Sequence, residues 1–230
     1  MAGTPRQLAR EQTMREIVRI GREQLATVAP SDLSLRAVAR ELGVVSSAIY
    51  RYVKSRDELL TLLIVDAYDE LGDAVDAAVA EAGSSPRAGV LAAARATREW
   101  SLREPSRYAL LYGTPVPGYA APADRTTQPG TRVAVALMAL LERARQEGRL
   151  EERSERLPRS VRSDLDAIRR EFGLELSAPA LSRGFVLWTG LFGLVSFDVF
   201  DQYGADTFSD REALFVHQVE LLADLAGLTP

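Results

Sequence analysis

The sequence predicts an all-helical protein, in which an N-terminal three-helix module precedes a larger helical bundle, about nine or ten helices in all. Apolar residues recur at three- and four-residue intervals: Leu8, Ile17, Ile20 and Leu25 lead, and Leu59, Leu62, Leu63, Val65 and Leu71 follow. That is the period of one helix face, and no stretch alternates as a half-buried strand would. Charge divides the chain as well. Residues 1–60 hold ten Arg or Lys against seven Asp or Glu, net +3, and the remainder holds eighteen against twenty-five, net −7. The overall charge of −4 hides this split, which has two readings: a small anion-facing module on an acidic body, or solvated helix faces that differ by accident.

Helices are expected near residues 6–28, 35–42, 46–52, 56–82, 87–103, 105–112, 130–148, 161–171, 178–203 and 209–226. Pro30 stops the first, Ser34 is placed to cap the second, and Gly43 can take the left-handed conformation that ends it. Ser55 with Glu58 reads as a capping box for the fourth helix, and Gly83 to Pro86 breaks it. Pro105, Pro179 and the pair Ser209 and Glu212 open later helices. Four prolines and three glycines between Gly113 and Gly130 argue against regular structure there. That segment is either a lid or a passive crossing. The stretch from Glu147 to Asp164 carries charges of both signs and reads as a solvated connector.

Composition excludes several classes. With 230 residues, 47% hydrophobic and 26% charged, the chain has ordinary globular usage rather than that of a disordered or low-complexity protein. The absence of cysteine removes disulfides, thiolate metal sites and cysteine nucleophiles. His217 is the single histidine, which excludes a multi-histidine metal site. Its neighbours Phe215 and Val216 place it in an interface or core rather than in a triad. Asp164, Asp166 and Glu171 form an acidic group on a charged connector, more simply solvated than catalytic. No enzyme constellation, cofactor motif or metal site is expected. The N-terminal ten residues are polar and basic, unlike a secretory signal. The apolar run Gly184–Phe200 is bounded by Arg183 and Asp198 and diluted by glycine, so a buried helix is expected and not a membrane span.

The informative stretch runs from Leu33 to Leu59. Leu35, Val38, Ala39 and Leu42 form the inner face of one short helix, and Ala48, Ile49 and Val53 that of the next. Gly43 supplies the reversal between them and Val44 is expected to plug the angle, the composition of a helix-turn-helix. Ser46, Ser47, Tyr50, Arg51 and Lys54 are left facing outward. Small hydroxyls allow close approach to a groove, and the aromatic hydroxyl and cations beyond can hold phosphates.

In Ser34-Leu35-Arg36-x-Val38-Ala39, Leu42-Gly43-Val44, Ile49-Tyr50-Arg51-Tyr52-Val53 and Lys54-Ser55-Arg56-Asp57-Glu58-Leu59, without gaps, the chain resembles the TetR family of bacterial transcriptional regulators. The resemblance implies a DNA-binding domain over 1–57 and an effector-binding and dimerisation domain over 58–230. It implies DNA contacts from Ser46, Ser47, Tyr50, Arg51 and Tyr52 on the recognition helix, Ser34 and Arg36 on the supporting helix, and Lys54 and Arg56 beyond. Three departures stand out: Val28-Ala29-Pro30-Ser31-Asp32 where relatives often carry glycine, Tyr52-Val53 in place of His-Phe, and Val45 in place of a common serine. Valine has no oxygen with which to cap the recognition helix, and Ser46 is the nearest residue able to take that role.

The resemblance continues more weakly through Tyr108-x-x-Leu111-Tyr112-Gly113 and Leu187-Trp188-Thr189-Gly190-Leu191-Phe192-Gly193-Leu194. It implies a cytoplasmic homodimer, most simply a ligand-responsive repressor of a palindromic operator in double-stranded DNA. Trp100, Tyr108, Tyr112, Phe185, Trp188 and Phe192 are candidates to line a pocket for an unknown, largely apolar effector, against the alternative that they are core. The glycines at 184, 190 and 193 either admit a neighbouring helix or leave space for a ligand. Phe197, Leu214, Val219 and Leu222 are candidates for the dimer interface. The competing reading is a helical interaction protein that binds no DNA.

Overall fold

A computed structural model describes residues 4–229, and among these every extended element is a helix. The chain forms two compact units. The first comprises the chain up to Glu70 together with Glu104–Gly130, and the second Leu71–Arg103 with the chain from Thr131 onward. These units do not coincide with the division at residue 57: α-helical segments from the middle of the chain pack with the N-terminal module.

In the first unit, α1 (Pro5–Leu25) opens on a capping box in which Thr4 and Gln7 satisfy each other's backbone amides. It ends at Leu25, earlier than Pro30 requires, and Pro30–Asp32 instead form one 3-10 turn. Next come α2 (Leu35–Glu41), α3 (Ser46–Ile49) and α4 (Arg56–Glu81). The Ser55 hydroxyl accepts from the Glu58 amide at 3.1 Å as expected. The Glu58 carboxylate, however, takes the amide of Lys54 at 2.6 Å and not that of Ser55. After α5 (Pro86–Arg103), which belongs to the second unit, α6 (Pro105–Tyr112) and α7 (Ala123–Gly130) complete the first.

Helix α7 corrects the expectation that residues 113–130 lack regular structure. Its prolines differ in effect: Pro122 precedes the helix and its carbonyl accepts from the Arg125 and Thr126 amides, whereas Pro129 stands inside the last turn, has no amide to donate back along the helix, and the helix ends at the next residue, Gly130. The core of this unit is built from Ile17, Ile20, Val38, Ala39, Ile49, Val53, Leu59 and Leu63 with their buried neighbours. Each completely buried Leu or Ile side chain contributes about 1.5–3 kcal/mol of transfer free energy.

A buried charge ties the longer helices of the unit together. Arg107 of α6 is only 3% exposed, and its guanidinium donates to Glu70 at 2.8 Å and to Asp66 at 3.0 Å, both on α4. Arg22 of α1 grips the same Asp66 carboxylate with two hydrogen bonds of 2.6 and 2.5 Å. With Glu104, 3.5 Å from the Arg107 guanidinium, the cluster joins two arginines to three carboxylates.

In the second unit, α8 (Arg132–Gln146), α10 (Ala178–Val199) and α11 (Arg211–Ala226) pack with α5, and α9 (Arg159–Phe172) packs on α10. Gly184 and Gly190 admit neighbouring helices. A Cβ at 184 would lie 2.7 Å from the Met138 sulfur, and one at 190 would lie 2.8 Å from Leu222. Helix α10 is long and apolar enough to cross a membrane by length and composition, but its charges are those of a core helix. Arg183 is buried against Glu155 and the Glu151 carbonyl, and Asp198 is buried against Arg98. Helix α10 stops at Val199, short of the expected 203. Asp210, not Ser209, caps α11, accepting from the Ala213 amide at 2.8 Å and placing a full negative charge at the positive helix end. The connector after α8 is less free than its charge suggests, because Glu151 donates its amide to the Gly227 carbonyl and Leu150 is buried.

Substituting Arg107→Met should cost about 2–4 kcal/mol, since it takes from Asp66 and Glu70, both partly buried, a cation that each of them holds. The measurement is the urea unfolding midpoint, and an unchanged midpoint would show the cluster to be energetically neutral.

Candidate nucleic-acid interface

The site begins with the reversal between α2 and α3. Ser34 caps α2, its hydroxyl accepting from the Ala37 amide at 3.3 Å, and its own amide is held by Gln24 at 3.2 Å. Gly43 has φ +72 with open space around the missing Cβ, so the conformation and not crowding selects glycine there. Leu35, Val38 and Ala39 are buried as expected. Val44 is 38% exposed and does not plug the angle, which closes instead through the Val44 amide bonded to the Ala39 carbonyl at 3.0 Å.

Helix α3 is only Ser46–Ile49, shorter than the expected 46–52, and turns carry the chain on to Val53. Val45 occupies its cap position without a side-chain hydrogen bond, and Ser46 does not replace it, being already the first helical residue. What holds the element in place is apolar. Ile49 and Val53 are completely buried, and this fixes the outward direction of the residues between and around them.

The predicted DNA-contacting side chains separate into two groups. Arg36, Ser46, Ser47, Tyr50, Arg51 and Lys54 are all exposed, Tyr50 at 47%, and form a strip of hydroxyls and cations on one side of the helix-turn-helix. Ser34, Tyr52 and Arg56 are drawn inward. Tyr52 packs against the core with the Arg10 guanidinium 5.4 Å from its ring centroid, and Arg56 donates to the Ser31 carbonyl at 2.9 Å. One residue was missed by the sequence reasoning: Val45, 71% exposed at the tip of α3. The signal was the departure from serine, which exchanges a hydrogen-bonding cap for an apolar surface.

The aromatic candidates divide between the two units. Trp100 and Tyr108 are completely buried packing side chains. Tyr108 and Tyr112 belong to the first unit, their rings 5.1 Å apart, and burial pushes the Tyr112 hydroxyl well above the usual tyrosine range. Phe185 and Trp188 stack at 5.9 Å on α10, and Phe192, one turn further on, is partly buried. Val219 is buried within the chain, and Leu222 is partly buried against Gly190. Leu214 is partly buried and Phe197 is 46% exposed. His217 is exposed, not in the core. No group of His, Asp or Glu able to hold a metal ion occurs among the described residues.

A helix-turn-helix with this outward strip defines the chain as a transcriptional regulator of the DNA-binding class. Residues 17–63 match the family described as bacterial regulatory proteins, tetR family, and residues 90–222 match the tetracyclin repressor-like C-terminal domain. An HTH-type transcriptional regulator of Mycobacterium tuberculosis (strain ATCC 25618 / H37Rv), Rv1816, is 47% identical over 93% of this chain and 92% of its own. The crystal structure of the regulatory protein SCO4313 is 32% identical, with a TM-score of 0.78 over 96% of this chain and 100% of that one. The fold extends to RolR, solved in complex with resorcinol, at 14% identity and a TM-score of 0.54 over 97% of both chains. The chain belongs to the TetR family, and its relatives are regulators and not enzymes.

The two tyrosines should separate structurally. Tyr50→Ala should leave stability within about 0.5 kcal/mol, as for other surface changes. Tyr52→Ala, which empties part of the core, should cost about 2 kcal/mol by denaturant unfolding.

Proposed function

We propose that the chain is a homodimeric, ligand-responsive repressor that binds a palindromic operator with α3 of each protomer in successive major grooves. The observation that carries this reading is the strip of Ser46, Ser47, Tyr50, Arg51 and Lys54 facing out while Ile49 and Val53 anchor the other side. Ser46 and Ser47 are small enough to reach base edges, and Val45 offers an apolar surface suited to a thymine methyl group. Tyr50, Arg51, Lys54 and Arg36 hold phosphates and set the register. Ser34 keeps a hydroxyl proton for a phosphate. Tyr52 and Arg56 act mainly by fixing the strip. DNA binding falls to residues 1–57 and regulation and dimerisation to 58–230, in the cytoplasm where the operator is.

The dimer forms through α10 and α11. Val186 and Phe197 lie on α10, Phe200 caps its end, and Leu221 and Leu225 lie on α11, all exposed in the single chain. Contiguous apolar surface of this kind marks an interface. The effector is a small, largely apolar molecule, and the resorcinol bound by RolR supports a ligand of that size.

Fluorescence anisotropy with DNA from upstream of the chain's own gene tests the reading. The double change Tyr50→Ala, Lys54→Ala should weaken binding to every sequence and lower the slope of log affinity against log salt by about one. Ser47→Ala should alter base preference with the slope retained. Undiminished binding by the double variant would remove the assignment.

Placing a charge on the exposed apolar face, as in Leu221→Glu, should convert the dimer to monomer in analytical ultracentrifugation, because a stable interface needs about 1,200–2,000 Å² of complementary surface. A monomeric unsubstituted protein would contradict the dimer.

A further inference from the structure

Helix α1 is longer than its share of the core requires. Its first buried residue is Ile17, and every residue from Thr4 to Gln12 is exposed, so about two turns of helix stand clear of the apolar cluster. The arginines of the helix divide in the same way. Arg19 is paired with Glu16 and Glu23, and Arg22 with Asp66 and Glu70. Arg6, Arg10 and Arg15 are exposed and form no ion pair among the described residues.

Arg10 is nevertheless held in place. Its guanidinium lies 5.4 Å from the centroid of the Tyr52 ring, within the range of a cation–π contact. Tyr52 packs against the core cluster, and its neighbours in the chain include Arg51 and Lys54 of the outward strip. A guanidinium lying over an aromatic face keeps its N–H donors at the edge of its plane, where they can take a phosphate through two parallel hydrogen bonds. The ring supplies order without neutralising the charge.

Helical spacing sets what stands beyond. Arg6, Arg10, Met14 and Ile17 recur at three- and four-residue intervals, so one stripe that enters the core at Ile17 and Met14 passes Tyr52 at Arg10 and reaches Arg6 about 6 Å further along the axis. Arg15 lies about 140° around the helix from Arg10 and belongs to another face.

We infer that α1 holds DNA alongside the helix-turn-helix: Arg10, steadied on the Tyr52 ring, binds a backbone phosphate outside the reach of the α3 strip, and Arg6 binds a second. The inference rests on the reading of that strip as the DNA-binding surface and extends the contact to a helix outside it. Tyr52 is then a positioning residue, whose ring acts through Arg10. Phosphate contacts of this kind carry no sequence information, so their loss weakens every duplex alike.

Fluorescence anisotropy with the full-length protein and one duplex, repeated over a range of salt, tests the contact. Arg10→Ala and Arg6→Ala should each weaken binding about fivefold near 0.15 M salt and lower the slope of log affinity against log salt by about one. Arg15→Ala should change neither. Replacing phosphates one at a time by neutral methylphosphonates should reveal a position that weakens the unsubstituted protein and leaves Arg10→Ala unaffected. Tyr52→Leu should lose as much as Arg10→Ala and add nothing to it in the double variant, whereas Tyr52→Phe, which keeps the ring and the core packing, should bind as the unsubstituted protein does. The change Tyr50→Ala, Lys54→Ala is the reference, and undiminished binding there would remove the reading of the strip whatever Arg10→Ala does. Weakened binding in that reference with affinity and slope unaltered in Arg10→Ala, or an equal loss in Arg15→Ala, would overturn the α1 contact. A loss in Tyr52→Phe as large as that in Arg10→Ala would overturn the role of the ring.

Discussion

The buried guanidinium of Arg107 is the constraint on which the DNA-binding unit depends. A charge so deprived of water is tolerable only where its counter-ions are fixed, and here both Asp66 and Glu70 come from α4. Asp66 is also the partner of Arg22, so α1, α4 and α6 are set relative to one another by directional, charge-assisted bonds as well as by apolar packing. The helix-turn-helix has no comparable resource of its own. Helices of seven and four residues are too short to persist alone, and they are ordered by the core that α1 and α4 provide. The outward strip inherits its geometry from a cluster that never touches it.

The second unit solves a different problem with similar means. Its most apolar helix, α10, carries an arginine near one end and an aspartate near the other, each buried and each answered by a partner within the unit. Glycines let α8 and α11 approach that helix closely, replacing side-chain bulk with backbone proximity. Val186, Phe197, Leu221 and Leu225 of the same helices remain exposed in the single chain.

Features that depend on neighbouring residues were legible in the sequence. Periodicity located nearly every helix, and Ser34, Gly43 and Pro105 act where local geometry demands them. Ile49 and Val53 were assigned inward, and burial agrees. Features that depend on distant residues were not legible. Helix α7 forms between a proline just before it and another one residue from its end, a positional detail that composition conceals. Asp210 displaced Ser209 as a cap because two eligible residues stood side by side. Val219 and Phe197 look alike as apolar helix residues, yet one is sealed inside its own chain and the other is not. The Arg107 cluster joins residues more than thirty-five positions apart, and the hydroxyl pair Thr61 and Tyr119 almost sixty. No spacing rule reaches that far.

The brevity of α3 has an evolutionary consequence. The residues that fold the element, Ile49 and Val53, are buried, while Ser46, Ser47 and Arg51 around them are exposed. Exchanging Ser46, Ser47 or Arg51 therefore leaves the fold's free energy almost untouched while altering the chemistry offered to DNA. A duplicated copy of this gene can drift toward a new operator through folded intermediates at every step, with the inward pair held constant by selection for stability alone.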